Sequence, residues 1–162
     1  MTINTFPIEG YAAIYDEVDL NGDLIAPGAF RTSLAKSGSL AVKLLYQHAA
    51  EQPVGRWLRF EERRQGLYAV GELFLATQTA REAAELIRAG IIDGLSIGYR
   101  TVRAQKSNGA RRVLEADLWE VSIVTFPMAP KARLTRIGAA PSIEPIMAFA
   151  DSVRAAARIL SA

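Results

Sequence analysis

The chain has 162 residues, of which 50% are hydrophobic and 22% are charged, a composition typical of one folded domain and not of a disordered chain. Its 19 basic and 17 acidic side chains nearly cancel, so the charge does not indicate a nucleic-acid-binding surface. The sequence contains no cysteine, which excludes disulfides, thiolate metal sites and cysteine nucleophiles.

Neither a signal peptide nor a membrane span is indicated. The first ten residues lack a basic segment followed by an apolar one, and no apolar run is long enough to cross a bilayer. We therefore expect the protein to work in a reducing cytoplasm, without nucleic-acid or membrane partners. We also expect no cofactor and no metal, because the single histidine, His48, leaves only carboxylates without a recognisable ligand spacing.

The first half of the chain predicts strands interrupted by a polar loop and a short helix. The predicted elements are a strand over 6–15, a structured loop over 16–30, a helix over 30–36, a buried strand over 40–48, and two antiparallel strands over 54–61 and 67–74.

The second half begins with a helix, predicted by a capping box at Thr79–Glu82 and ended by Gly90. Strands over 94–104 and 110–126 form a hairpin, because Asn108 and Gly109 favour its turn. Beyond an irregular stretch, a last helix is predicted over 146–160. Together the elements predict an α+β fold, a small, mostly antiparallel β-barrel or sandwich of roughly six or seven strands with two or three peripheral helices.

Ser96 is a candidate nucleophile, because Gly94 to Gly98 spell G-x-S-x-G, the nucleophile-elbow pattern of many hydrolases. A serine hydroxyl attacks only when a base removes its proton, and histidine is the usual base near neutral pH. The α/β-hydrolase chain order is excluded, since no histidine follows Ser96. Any serine–histidine pair must therefore use His48.

Glu120 is the candidate third member, which would orient the imidazole and stabilise its charged form. Strand alternation places Glu120 and Ser122 on one face, and a carboxylate within so apolar a strand needs a partner. The residues alone leave alternatives open. His48 could lack a catalytic role, and Glu120 could face water on an edge strand.

Four separated segments, 18–30, 44–57, 83–100 and 118–132, together resemble the HK97-type prohead proteases of tailed phages and gene transfer agents. That family is similar in turn to the herpesvirus capsid-maturation protease, or assemblin. The resemblance implies a herpesvirus-protease-like fold and a serine endopeptidase with His48, Ser96 and Glu120 as catalytic residues. Ser122 and Asp117 are the nearest alternatives for the acidic role.

The resemblance also implies an oxyanion hole in the loop after the Glu120 strand. The candidate N–H donors are Met128, Ala129 and Lys131, because Pro127 and Pro130 have no N–H. Gly98 is an alternative, as a position of close backbone approach beside the serine.

The substrates that the resemblance implies are the scaffold, the scaffold-like N-terminal segment of the major capsid protein, and the enzyme itself, inside the procapsid during assembly. We expect a protease domain over 1–140 and a helical extension over 141–162 that packs on the core, mediates a homodimer or tethers the enzyme. Two other functions are open: a non-enzymatic capsid-assembly or scaffold component that retains the fold, and an unrelated β-barrel binding module. The binding module predicts that Ser96 and His48 lie far apart.

Overall fold

The computed structural model describes residues 4–138, which form strands, two α-helices and one short 3-10 helix. In chain order the elements are β1 (Thr5–Ile14), β2 (Asp23–Ile25), α1 (Arg31–Ser37), the 3-10 helix (Ser39–Ala41), β3 (Lys43–Tyr46), β4 (Ala49–Glu62), β5 (Gly66–Phe74), α2 (Gln78–Arg88), β6 (Gly94–Ser107), β7 (Ala110–Val124) and β8 (Leu134–Ile137). The predicted α+β class is confirmed.

The strands form one mixed sheet in which most neighbours are antiparallel, as predicted. The order is β2-β7-β3-β4-β5-β1-β8, and β6 pairs with β7. Because β6 covers one edge of β7 along its whole length, β2 and β3 share the other edge, and both run parallel to β7. This parallel pairing places the end of β3 beside the end of β7.

The sheet closes on itself where the start of β6 meets the segment that leads into β8. Gly94 forms a bridge with Arg133, and the Leu95 N–H donates to the Ala132 carbonyl at 2.9 Å. Since β8 also pairs with β1, these contacts complete a barrel. At the closure a Cβ on Gly10 would lie 2.2 Å from the Arg133 carbonyl oxygen, so only glycine fits there.

Large apolar side chains fill the barrel and fix the strands that carry the polar residues described below. Trp57 is fully buried, and its indole N–H donates to the Val121 carbonyl at 3.2 Å. Helix α2 packs its small residues and Ile87 against the sheet. A close-packed core of this kind restricts the side chains attached to it to few positions.

Several local predictions need correction. The N-cap of α2 is Thr77, whose hydroxyl accepts from the Ala80 N–H at 3.2 Å, so the capping box at Thr79 is wrong. The predicted strand over 40–48 begins as the 3-10 helix and ends at Tyr46, which leaves His48 in a turn. Strands β2 and β8 are short and were not predicted, because each depends on pairing with a distant strand.

The hairpin predicted at Asn108 and Gly109 is confirmed, with φ of 47° and 83° at those residues. The predicted extension over 141–162 and its helix over 146–160 lie outside the described residues. Within residues 4–138, no helix combines the length and the apolar character that crossing a membrane requires.

Candidate active site

His48 lies in a tight turn between β3 and β4. Tyr46 pairs with Ala49, so Gln47 and His48 alone connect the two strands. Both have positive φ, 53° and 59° respectively. Two-residue turns of this conformation favour asparagine and glycine, because the left-handed region costs other residues about 1–2 kcal/mol each. Strained residues of this kind are found preferentially at functional sites.

The turn is hydrogen-bonded to the end of β7. The Gln47 N–H donates to the Ile123 carbonyl at 2.9 Å, and the His48 N–H donates to the Ser122 hydroxyl at 3.2 Å. Ser122 is fully buried. The backbone beside the imidazole is therefore fixed to the strand that carries Glu120.

Glu120 contacts both His48 and Ser122. Its Oε1 lies 2.5 Å from Nδ1 of His48, and its Oε2 accepts from the Ser122 hydroxyl at 2.6 Å. The Glu120 side chain is 14% exposed and the imidazole 44%. The hydrogen bond to Glu120 raises the pKa of His48 above its ordinary value, although partial burial opposes it. Glu120 engages Nδ1 and leaves Nε2 as the nitrogen that can accept a proton.

Gly98 is the register partner of Glu120 on β6 and makes room for the carboxylate. A Cβ on Gly98 would lie 2.3 Å from Oε1 of Glu120, well inside van der Waals contact. The second glycine of G-x-S-x-G therefore serves the acidic side chain. The space beside Gly98, considered above for an oxyanion, is filled by Glu120.

Ser96 lies on β6 directly opposite Ser122, and it is 5% exposed. It sits inside a regular strand, and neither Gly94 nor Gly98 has a positive φ, so the segment is no strained elbow. Ser96 and His48 line one cavity of about 160 Å³. Within residues 4–138 the side-chain hydrogen bond of His48 goes to Glu120, so Ser96 shares the cavity without a hydrogen bond to the imidazole.

Of the candidate oxyanion donors, Met128 and Ala129 line this cavity, whereas Lys131 does not. Neither the Met128 N–H nor the Ala129 N–H donates a hydrogen bond within the described part of the chain. The Lys131 ammonium pairs with Glu17 at 2.6 Å. Asp117, an alternative for the acidic role, pairs with Arg100 at 2.6 Å, and the other alternative, Ser122, contacts Glu120 itself.

A charge cluster around a buried aspartate on the cavity wall is not predicted by the sequence. Asp23 is 5% exposed and accepts two hydrogen bonds from Arg111, at 2.7 and 2.6 Å, and one from the Tyr99 hydroxyl at 2.5 Å. The Arg111 guanidinium holds the pKa of Asp23 below its ordinary value. No local signal predicts this cluster, because it joins β2, β6 and β7. Nor did the sequence indicate a role for Gln47.

No group of three or more histidine, aspartate and glutamate side chains within residues 4–138 could hold a metal ion. The polar groups of this cavity are of the kind that proton transfer at a hydroxyl requires: an imidazole that a carboxylate contacts, and two lining residues whose N–H groups donate to nothing else within residues 4–138.

Residues 2–145 match the family described as caudovirus prohead serine protease. The chain belongs to this family. It is 30% identical over 143 residues to the prohead protease of Enterobacteria phage HK97, an alignment that covers 85% of this chain. It spans only 63% of the length of that relative.

Solved structures of viral proteases share the fold of this prohead protease family member. The protease of KSHV, in complex with a hexapeptide phosphonate inhibitor, aligns with a TM-score of 0.59 and 13% identity over 85% of this chain and 66% of its own. The capsid assembly protease of bacteriophage T4 aligns with a TM-score of 0.58 and 19% identity over 75% of this chain and 82% of its own. The herpesvirus-protease-like fold that the resemblance implied is confirmed.

Proposed function

We propose that the protein is a serine endopeptidase of capsid maturation, with Ser96 as nucleophile, His48 as base and Glu120 as the residue that orients His48. The observation that carries the proposal is the 2.5 Å contact between Glu120 and the only imidazole of the chain, which shares a cavity with Ser96. Membership of the prohead serine protease family supports the same chemistry.

In the proposed reaction, Nε2 of His48 accepts the hydroxyl proton of Ser96 as Oγ attacks the carbonyl carbon of the scissile bond. The imidazolium then gives that proton to the leaving amine, and the C–N bond breaks to leave an acyl-enzyme. Water, deprotonated by the same imidazole, releases the acid and restores the Ser96 hydroxyl. Glu120 stabilises the imidazolium in both steps, in keeping with the raised pKa of His48.

The Met128 and Ala129 N–H groups are the proposed oxyanion donors. Both residues line the cavity that contains Ser96, and their N–H groups donate to no other group within residues 4–138. Donors already in place where negative charge develops need little reorganisation during the reaction. Lys131, which does not line the cavity, is not included.

The proposed substrates are the scaffold, the scaffold-like N-terminal segment of the major capsid protein, and the enzyme itself. The similar proteins named above are a prohead protease and a capsid assembly protease, which supports a site of action inside the procapsid. Confinement there raises the effective concentration of substrate, so a modest protease in solution would be efficient in place.

Co-expression with the capsid or scaffold precursor tests the proposal. Ser96→Ala should abolish cleavage while the protein stays folded, and Ser107→Ala, at the far end of the same strand, should cleave normally. Mass spectrometry of the precursor fragments identifies the cleaved bonds. Full processing by Ser96→Ala would contradict Ser96 as the nucleophile, and no processing by the wild-type chain would favour a non-enzymatic component of capsid assembly.

A further inference from the structure

The Gln47 side chain connects the turn that carries His48 to the residue that follows β7. Its Nε2 donates to the Thr125 hydroxyl at 2.8 Å, and its Oε1 accepts from the Thr125 N–H at 3.2 Å. Both the nitrogen and the oxygen of the carboxamide therefore form hydrogen bonds with Thr125. The contact joins positions 78 residues apart in the sequence.

The backbone conformation does not explain why glutamine occupies this position. With φ of 53°, residue 47 would be less strained as glycine or asparagine. The hydrogen bond from the Gln47 N–H to Ile123 uses only the backbone, so any residue except proline could make it. What glutamine adds is the pair of hydrogen bonds to Thr125.

His48 depends on the position of this turn. Its imidazole is 44% exposed, so packing restrains it only in part. Its short contact with Glu120 requires the Cα of His48 to stay at a fixed distance from β7. The Ser122 hydroxyl accepts a hydrogen bond from the His48 N–H, and the carboxamide of Gln47 bonds the preceding position of the turn to Thr125.

We propose that Gln47 is a positioning residue, whose carboxamide fixes the turn against Thr125 so that His48 meets Glu120. The proposal rests on the proposed function of His48 as a base. It assigns Gln47 no contact with the substrate.

Gln47→Gly provides the first test, because glycine relieves the left-handed strain but removes the carboxamide. We expect kcat to fall by about 10- to 100-fold with little change in KM, since misplacement by about 1 Å has effects of this size. The midpoint of thermal unfolding should stay the same or rise.

A second measurement does not depend on cleavage. His48 is the only histidine, so NMR follows its titration without ambiguity. Its pKa should fall in Gln47→Gly towards the ordinary value of about 6.5, because the contact with Glu120 is no longer held. A purely structural role of Gln47 elsewhere in the fold would leave this pKa unchanged.

Matched variants at the other end of the contact complete the experiment. Thr125→Val removes the hydroxyl at nearly constant shape and should repeat part of both effects, whereas Thr125→Ser should restore wild-type values. Gln78→Ala, which removes an exposed glutamine that contacts Glu82 on α2, should have no effect.

A wild-type kcat and a wild-type His48 pKa in Thr125→Val and Gln47→Gly would overturn the proposal. If Gln47→Gly does not fold, Thr125→Val alone decides. If the wild-type chain cleaves no precursor but its raised His48 pKa falls in these variants, the proposed proteolytic function fails while the role of Gln47 in holding the imidazole stands.

Discussion

Replacing Gly98 with alanine tests whether the Glu120 carboxylate lies where the structure places it. The new Cβ would lie 2.3 Å from Oε1 and 2.8 Å from both Cδ and Cγ of Glu120, whereas ordinary contacts begin at 3.4 Å, so the carboxylate must move by about 1 Å. Such a movement lengthens the 2.5 Å contact with Nδ1 of His48 beyond that of a good hydrogen bond. We expect kcat to fall by about 100-fold, the size of effect that a misplacement of about 1 Å produces.

The same change should lower stability moderately. Cγ and Cδ of Glu120 collide with the new Cβ as well as Oε1, so the side chain as a whole must shift, although φ of Gly98 is not positive. Alanine lowers the entropy of the unfolded chain, but overpacking costs about 1–3 kcal/mol, so we expect the free energy of unfolding to fall by about 1–3 kcal/mol. Urea unfolding measures the change in the free energy of unfolding. Cleavage of a peptide that spans a mapped cleavage site gives kcat and KM.

A double-mutant cycle identifies the cause of the loss. In a Glu120→Ala background no carboxylate remains to collide with the new Cβ, so Gly98→Ala should lower kcat no further. A wild-type kcat in Gly98→Ala would refute the assigned position of Glu120. An equal loss in both backgrounds would show that Gly98 acts on another group.

Three further predictions concern pH and stability. The rate constant kcat/KM should rise with pH through the raised pKa of His48, since only the neutral imidazole accepts a proton. Glu120→Gln should shift this rise to lower pH, and an unshifted profile would contradict the pairing of His48 with Glu120. Asp23→Asn should lower the free energy of unfolding in urea by about 1–3 kcal/mol, because Asp23 is buried and accepts two hydrogen bonds from Arg111. Asp117→Asn, at a partly exposed ion pair, should lower it by about 0–1 kcal/mol, and equal losses in the two variants would contradict this difference. Gly10→Ala should lower the unfolding temperature markedly, because its Cβ would meet backbone and not a movable side chain, and an unchanged temperature would contradict the barrel closure.

Local patterns predicted those elements whose signal lies within a few residues. Asn108 and Gly109 both favour positive φ, so their hairpin could be predicted from two residues. Gln47 and His48 adopt the same conformation without such a preference, so the sequence pattern predicts a strand where the structure has their turn. What holds that turn is Ser122 and Thr125, which are distant in sequence.

The sequence names candidate members of the site but not their arrangement. Only one histidine was available, and four separated motifs resembled one family, so Ser96, His48 and Glu120 could be named. The parallel pairing of β3 with β7 brings His48 to Glu120, and no local signal contains it. The need for glycine at position 98 likewise has no local signal, because it arises from the Glu120 side chain, which occupies the space that a Cβ on residue 98 would fill.

Whether His48 activates Ser96 can be measured with a fluorophosphonate, which reacts with serine hydroxyls that a base has activated. Intact-mass spectrometry and peptide mapping of the wild-type chain should find one adduct, on Ser96, and the rate should fall by at least about 100-fold in His48→Ala. An adduct on another residue, or an equal rate of Ser96 modification without the imidazole, would contradict the proposed catalytic pair.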